Sequence, residues 1–288
     1  MKLVWPWQDR RRRFSPLKAA GFALTLAPAI LLAYELRAGE LGIYPLWLGE
    51  LTYWSGVWAT VVLLGALAVT PAIRIFGWKS LIDVRRMIGV AALAYTIFHI
   101  IVYFALRFWS FSLIAKEMIA SASLITATLS TIGLGVLGAT SFDAAIRRMG
   151  ARGWQRLHNW VYVTSLLAIL HVLLSRGTNP MQYLLAGMFF WLMGWRLLNR
   201  SGRGADPRAL ALLAVGSGLF AALLEAIWLG AKRGYGPIET LAGNFSLIFG
   251  VPPVWQLMAL GLLIAVLAAL RMSRKSRYRF SEQGLPFS

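Results

Sequence analysis

The chain has 288 residues, of which 58% are hydrophobic and 14% charged, with a mean hydropathy of +0.64. Soluble domains run nearer roughly 45–50% apolar and about 25% charged, so this composition excludes an ordinary soluble domain and describes a chain solvated mainly by lipid. The absence of cysteine excludes disulfides, thiolate-held iron–sulfur clusters and covalent C-x-x-C-H haem attachment, and the net charge of +18 does not signal nucleic-acid binding because the basic residues recur in short loops between apolar runs.

Eight apolar runs are long enough to cross about 30 Å of hydrocarbon at 1.5 Å per residue. They are Leu17–Leu36, Tyr53–Ile73, Met87–Phe108, Met118–Thr140, Leu157–Leu174, Met181–Leu198, Ala209–Leu229 and Val254–Leu270. The start of the chain carries Arg11-Arg12-Arg13-Phe14 and Ala27-Pro28-Ala29, faint echoes of an export signal and its cleavage site. The apolar run continues past them through Ile30 to Tyr34, which a cleaved signal does not need, so the first helix is expected to be retained. Of the 29 Lys and Arg, 23 fall in segments 1–18, 74–86, 141–156, 196–208 and 271–288. Those segments alternate consistently with an even number of spans and with both termini cytoplasmic. The stretch 231–253 is rich in Gly and Pro and has room for a short interfacial helix.

The fold expected is an all-α integral membrane bundle of about eight helices. A six-helix domain over 1–200 would be followed by a two-helix membrane extension over 201–288 with a basic tail, Arg271 to Arg279, as a topology anchor on anionic lipid. With loops this short, no soluble flavin- or nicotinamide-binding domain is expected within these residues. Gly133-Leu134-Gly135-Val136-Leu137-Gly138 matches G-x-G-x-x-G, but it lies inside an apolar run rather than between strand and helix. Small residues there are expected to allow close helix packing or to leave room for a flat ligand.

Chemistry concentrates in three histidines, His99, His158 and His171, each inside or at the edge of an apolar run. Ionisable groups in membrane helices are costly and tend to be functional, and imidazole is a standard axial ligand of haem iron. The third and fifth runs both enter from the cytoplasmic side. His99 stands 14 residues above Arg85, about 21 Å, and His171 stands 13 residues above His158, about 20 Å. His99 and His171 are therefore expected at one depth in the outer half, able to clamp one iron from both faces and to pass single electrons. Arg107 and Arg176 are available to haem propionates on the outer side, or are ordinary interfacial arginines. The third-run positions level with His158 are Arg85 and Arg86, not histidine. Three readings of His158 stay open: ligand of an inner haem, donor to a quinone or flavin, or interfacial hydrogen-bonding residue. Glu225, in the seventh run, is expected to reach the interface rather than to relay protons.

Residues 54 to 176 resemble the MsrQ (YedZ) family of the ferric-reductase-like transmembrane group. The resemblance is carried by Trp54-Ser55-Gly56-Val57-Trp58, Ala68-Val69-Thr70-Pro71 with Arg74, Arg85-Arg86-Met87-Ile88-Gly89-Val90 leading to Tyr95, His99 and Tyr103, Gly138-Ala139-Thr140-Ser141, and Trp154-Gln155-Arg156-Leu157-His158 leading to Tyr162 and His171. It implies haem b, one or two, held by His99 and His171, with His158 also matching a family histidine, and it associates FMN with the chain. It further implies electron flow from quinol or a cytosolic flavin reductase to a periplasmic molybdopterin methionine sulfoxide reductase, in a bacterial inner membrane. The chain departs from the family at Ala115-Lys116-Glu117-Met118-Ile119, at Asn159 after His158, and in its last two helices. The rival expectations are a ferric-chelate or NADPH-oxidase-like cytochrome b working with a separate flavoprotein, and a non-redox transporter or assembly factor.

Overall fold

The computed structural model describes residues 5–9, 11–43, 45–175, 179–248 and 250–283. Among them are eleven α-helices and no β-strand. The helices are α1 (Pro16–Ala38), α2 (Leu46–Phe76), α3 (Ile82–Leu106), α4 (Phe111–Ala120), α5 (Ala122–Ala139), α6 (Asp143–His158), α7 (Val161–Leu174), α8 (Met181–Arg200), α9 (Pro207–Arg233), α10 (Pro237–Gly243) and α11 (Pro253–Gln283). Seven spans among the described residues are long and apolar enough to cross a membrane, which makes the chain an all-α integral membrane protein as its composition requires.

The remaining expected span, α8, falls below that apolarity because it carries Gln182, Tyr183, Trp191, Trp195 and Arg196. A helix need be greasy only where it meets lipid. Gln182, Tyr183, Leu185, Ala186, Trp191, Leu192 and Trp195 are all buried against protein, and the indole N–H of Trp195 is donated to the Gly204 carbonyl at 2.8 Å. Its 20 residues are about 30 Å long.

Two expected spans are interrupted. The run drawn as continuous from Met118 to Thr140 breaks at Ser121, whose backbone is extended (φ −113°, ψ 115°). Ser121 closes α4 and also caps α5, its hydroxyl accepting from the Leu124 N–H at 3.4 Å, so a polar cap overrides the apolar pattern. The run through His158 to His171 is divided between α6 and α7. At the junction Trp160 N–H bonds the Leu157 carbonyl and Tyr162 N–H bonds the Asn159 carbonyl, the tighter i→i−3 pattern. Gly150, at φ 68°, bends α6 further upstream. The stretch expected to hold a short helix contains α10.

The chain forms two compact units: Met1–Val69 with Ser80–Gly177, and Thr70–Lys79 with Thr178–Ser288. In the first, α5 lies along α7, and α3 packs on α1 and α5. Its core joins Ala59, Val62 and Leu63 of α2, Ala92 and Tyr95 of α3 and Leu134 of α5. Small residues set the approach of α5. A Cβ on Gly133 would lie 2.5 Å from the Thr164 hydroxyl, and one on Gly138 would collide with Leu93, so this glycine-rich run serves helix packing.

Pro28 leaves α1 without one rung, and Tyr95 of α3 repairs the damage next to it. The Tyr95 hydroxyl donates to the Thr25 carbonyl (2.7 Å) and accepts from the Ala29 N–H (3.0 Å), standing inside an i→i−4 rung and tying α1 to α3. In the second unit α9 packs on α8 and α11. Close approach there also depends on small residues: a Cβ on Gly218 would lie 2.8 Å from the Val254 carbonyl oxygen, and one on Gly261 would lie 3.0 Å from Ala214 Cα. The side chains of the tail beyond Ser273 lie outside the described residues.

Candidate functional site

His99 on α3 and His171 on α7 face one another, with ring centroids 6.3 Å apart and ring planes inclined at 66°. The two helices thus bring the histidines to one level, at the end of the first unit away from His158. Each imidazole is oriented by the same device. His99 Nδ1 lies 2.9 Å from the Thr52 carbonyl oxygen and 3.2 Å from the Ser55 hydroxyl, which itself donates to that carbonyl at 3.0 Å. His171 Nδ1 lies 2.9 Å from the Ser123 carbonyl oxygen and 3.0 Å from the Ser123 hydroxyl, which donates to the His171 carbonyl at 3.0 Å.

A carbonyl oxygen can only accept, so both Nδ1 atoms carry the proton and both Nε2 atoms keep a free lone pair. This is how proteins orient an imidazole that binds metal through its other nitrogen. The separation also fits. Two imidazole–metal bonds of about 2 Å, plus about 1 Å from each ring centre to its Nε2, place the centroids about 6 Å apart. Among the described residues no group of three or more His, Cys, Asp or Glu surrounds a metal position. Two protein ligands suffice where a macrocycle supplies the rest, which is the haem arrangement.

The site depends on a close approach at Gly56. A Cβ there would stand 2.9 Å from His99 Cε1 and 3.1 Å from Nδ1, so only glycine lets the imidazole lie against α2. Sequence reading singled out the histidines and included Ser55 and Gly56 in a motif, but it missed Thr52 and Ser123. Ser123 follows the Ser121 cap, and a polar doublet interrupting an apolar run was the available signal. Thr52 acts through its carbonyl, which no side-chain pattern reveals.

Arg107 closes α3 and pairs with Glu117 of α4 (Nε to Oε2, 2.8 Å), while the Tyr103 hydroxyl donates to the same oxygen at 2.5 Å. The guanidinium also lies 5.4 Å from the centre of the Tyr103 ring. The turn between α3 and α4 places Phe108 and Trp109 at φ 51° and 57°, strained for such residues, and this three-residue network spans it. Arg176 lies outside the described residues.

His158 belongs to a separate cluster. Its ring stacks on Trp154 (centroids 3.8 Å apart), its Nε2 lies 3.3 Å from the Thr140 hydroxyl, and the Arg85 charge acts on it. The neighbouring Trp154 donates its indole N–H to the Thr140 carbonyl at 2.9 Å. Arg86 points elsewhere, pairing with Asp143 at 2.6 Å and bonding the Ser141 carbonyl. In the second unit, Glu225 hydrogen-bonds Asn244.

The family described as ferric reductase like transmembrane component matches residues 55–169, which include His99 and His158 and stop short of His171. The chain is 34% identical over 199 residues to a protein-methionine-sulfoxide reductase heme-binding subunit MsrQ of Azospira oryzae, covering 67% of this chain and 84% of that protein. It is 30% identical over 193 residues to the subunit of the same name from Rhodospirillum rubrum (65% of this chain, 92% of that protein), and 32% identical over 173 residues to that of Caulobacter vibrioides (59% and 81%). No solved structure matches the chain.

Proposed function

The chain belongs to the MsrQ family, a multi-pass protein of the bacterial inner membrane, and we propose that it is the haem b electron-transfer subunit of a methionine sulfoxide repair system. Electrons enter from quinol or from a cytosolic flavin reductase and leave to a periplasmic molybdopterin reductase that restores oxidised methionine in proteins. The concentration of Lys and Arg in alternate loops supports cytoplasmic termini, and with that orientation the His99–His171 level faces the periplasmic side.

The observation that carries this reading is the pair of imidazoles with centroids 6.3 Å apart, each with Nδ1 committed to a carbonyl. His99 and His171 would hold the haem through their Nε2 atoms, and the group would supply one-electron transfer there. The chain's own contribution is orientation. Thr52, Ser55 and Ser123 fix the tautomer and the ring angle before the group arrives, and Gly56 leaves His99 the space to stand there. Burial between apolar helices excludes water from the imidazoles.

The test is the spectrum of the purified protein with each ligand removed. His99→Ala and His171→Ala each abolish the low-spin signal of the bis-imidazole haem; a normal low-spin spectrum in either variant overturns the assignment. The match over residues 55–169 also favours a second reading, a ferric-chelate reductase partnered by a separate flavoprotein. Ferric-chelate reduction assayed beside methionine sulfoxide repair in the same membranes separates the two.

A further inference from the structure

A cleft of about 900 Å³ runs between α1 and α3 within the first unit. Its walls extend from Phe22 to Leu36 on α1, about 21 Å, and from Asp83 to Phe98 on α3, about 22 Å. The long part is apolar, with Leu26, Ala29 and Ala33 on one wall and Val90, Ala94 and Phe98 on the other. All six are exposed, so this part opens sideways toward lipid. Gln8, Lys18, Asp83, Arg86 and Ser141 gather at the other end, with Trp5, which stacks on Trp7 at a centroid distance of 5.3 Å. Tryptophans favour the headgroup level of a bilayer, so the cleft runs from that level into the hydrocarbon.

Shape limits the occupant. A volume of about 900 Å³ over about 22 Å gives a mean cross-section of roughly 40 Å², whereas an α-helix of about 10 Å diameter needs roughly 80 Å². The cleft is too narrow for a helix of another chain and wide enough for flexible hydrocarbon. Its apolar length exceeds the about 15 Å that half a bilayer's hydrocarbon spans, so an acyl chain of one leaflet fits along it.

Charge limits the head. Arg86 is balanced by Asp143 at 2.6 Å through Nη1, the atom that also bonds the Ser141 carbonyl. With that pair neutral, the polar end carries one cation, Lys18 on the α1 wall, and one carboxylate, Asp83 on the α3 wall. Lys18 Nζ is held by the Gln8 carbonyl at 3.0 Å and has two further N–H groups to donate. The complement of this end is a head that is neutral overall and carries one anion and one cation. The Asp83 carboxylate only accepts hydrogen bonds, so the cation that suits it is a primary ammonium, with N–H groups, rather than a quaternary one.

We propose that the cleft binds a zwitterionic aminophospholipid, with its phosphate at Lys18 and Arg86, its ammonium at Asp83 and an acyl chain along Ala29, Ala33 and Ala94. The bound lipid completes the seam between α1 and α3. Protein contacts close that seam at Gly21, where a Cβ would lie 3.1 Å from Val84 Cγ1, and at the Tyr95 hydroxyl, which donates to the Thr25 carbonyl. The lipid carries no electrons, and the site is independent of the haem reading.

The experiment titrates the delipidated full-length protein in detergent with dioleoyl phosphatidylethanolamine, phosphatidylcholine or phosphatidylglycerol, and counts bound lipid by native mass spectrometry. Expected is one ethanolamine lipid per chain, held about tenfold more tightly than the choline or the glycerol lipid, the worth of one charge-assisted hydrogen bond. Asp83→Asn, at an exposed position, removes the preference for ethanolamine over choline without disturbing the fold. Ala94→Trp and Ala33→Trp fill the apolar part from opposite walls and exclude the ethanolamine lipid, while the Tm measured without added lipid stays at the parental value. Equal retention of all three lipids by the parent overturns the proposal by assigning the cleft to bulk lipid, and tighter binding of the glycerol lipid overturns it by assigning the polar end to an anion. An ethanolamine preference that survives Asp83→Asn, or undiminished binding in both tryptophan variants, overturns it as well.

Discussion

Gly56→Ala isolates the space that His99 needs as the proposed haem ligand. The added methyl group would lie 2.9 Å from His99 Cε1, 3.1 Å from Nδ1 and 3.5 Å from Nε2, where ordinary contact begins near 3.4 Å. Relief requires the ring or α2 to retreat by about half an ångström, and the ring is held by Nδ1 at 2.9 Å from the Thr52 carbonyl. Forcing one methyl into a packed site costs about 1–3 kcal/mol. At about 1.4 kcal/mol per factor of ten, haem affinity falls roughly ten- to hundredfold. The helix itself responds in the opposite direction, since alanine is better than glycine in a helix interior by about 1 kcal/mol. The assay pairs haem-to-protein ratio, by pyridine haemochrome across a haem titration, with thermal unfolding of the haem-free protein. Expected is a weaker haem site in a scaffold as stable as the parent or more so. Full haem occupancy at parental affinity would falsify the claim that Gly56 makes room for His99.

His158→Ala is expected to lower haem content less than either His99→Ala or His171→Ala, because His158 stacks on Trp154 and meets Thr140 rather than a second imidazole; complete haem loss in a pyridine haemochrome assay contradicts this. Tyr95→Phe removes the hydroxyl inside the α1 rung, but Ala29 N–H and the Thr25 carbonyl can then close on each other. The net loss is about one hydrogen bond, about 1 kcal/mol or a Tm drop of about 2–4 °C, with the haem spectrum intact. A drop several times larger, or loss of haem, would show that Tyr95 holds more than that rung.

Much of the architecture was readable from hydrophobic runs because lipid punishes every exposed polar group and leaves few alternatives to a helix. His99 and His171 could be set at one level by counting 1.5 Å per residue from the basic ends of their helices, and the 6.3 Å between their rings agrees with that count. What counting misses are local events governed by single polar residues. Ser121 breaks an apolar run by capping, and the junction at Asn159 and Trp160 tightens the helix between His158 and His171. α8 misleads in the other direction, since its tryptophans, glutamine and tyrosine look unsuited to lipid until their burial against α9 and α11 is seen. The groups that orient the imidazoles were only half legible: a serine hydroxyl leaves a mark in the sequence, and a backbone carbonyl leaves none.

The face of α3 explains how one helix serves several neighbours. Tyr95, His99, Tyr103 and Arg107 recur every four residues, and each step turns about 40° past a full circle. The stripe therefore drifts by about 120° over its length, and its members meet different partners in turn. Tyr95 binds the opened rung of α1, His99 binds the Thr52 carbonyl on α2 while facing α7, and Tyr103 and Arg107 hold Glu117 on α4. A helix clasped at three levels by three elements has little freedom to rotate, and rotation is the motion that would carry His99 away from His171.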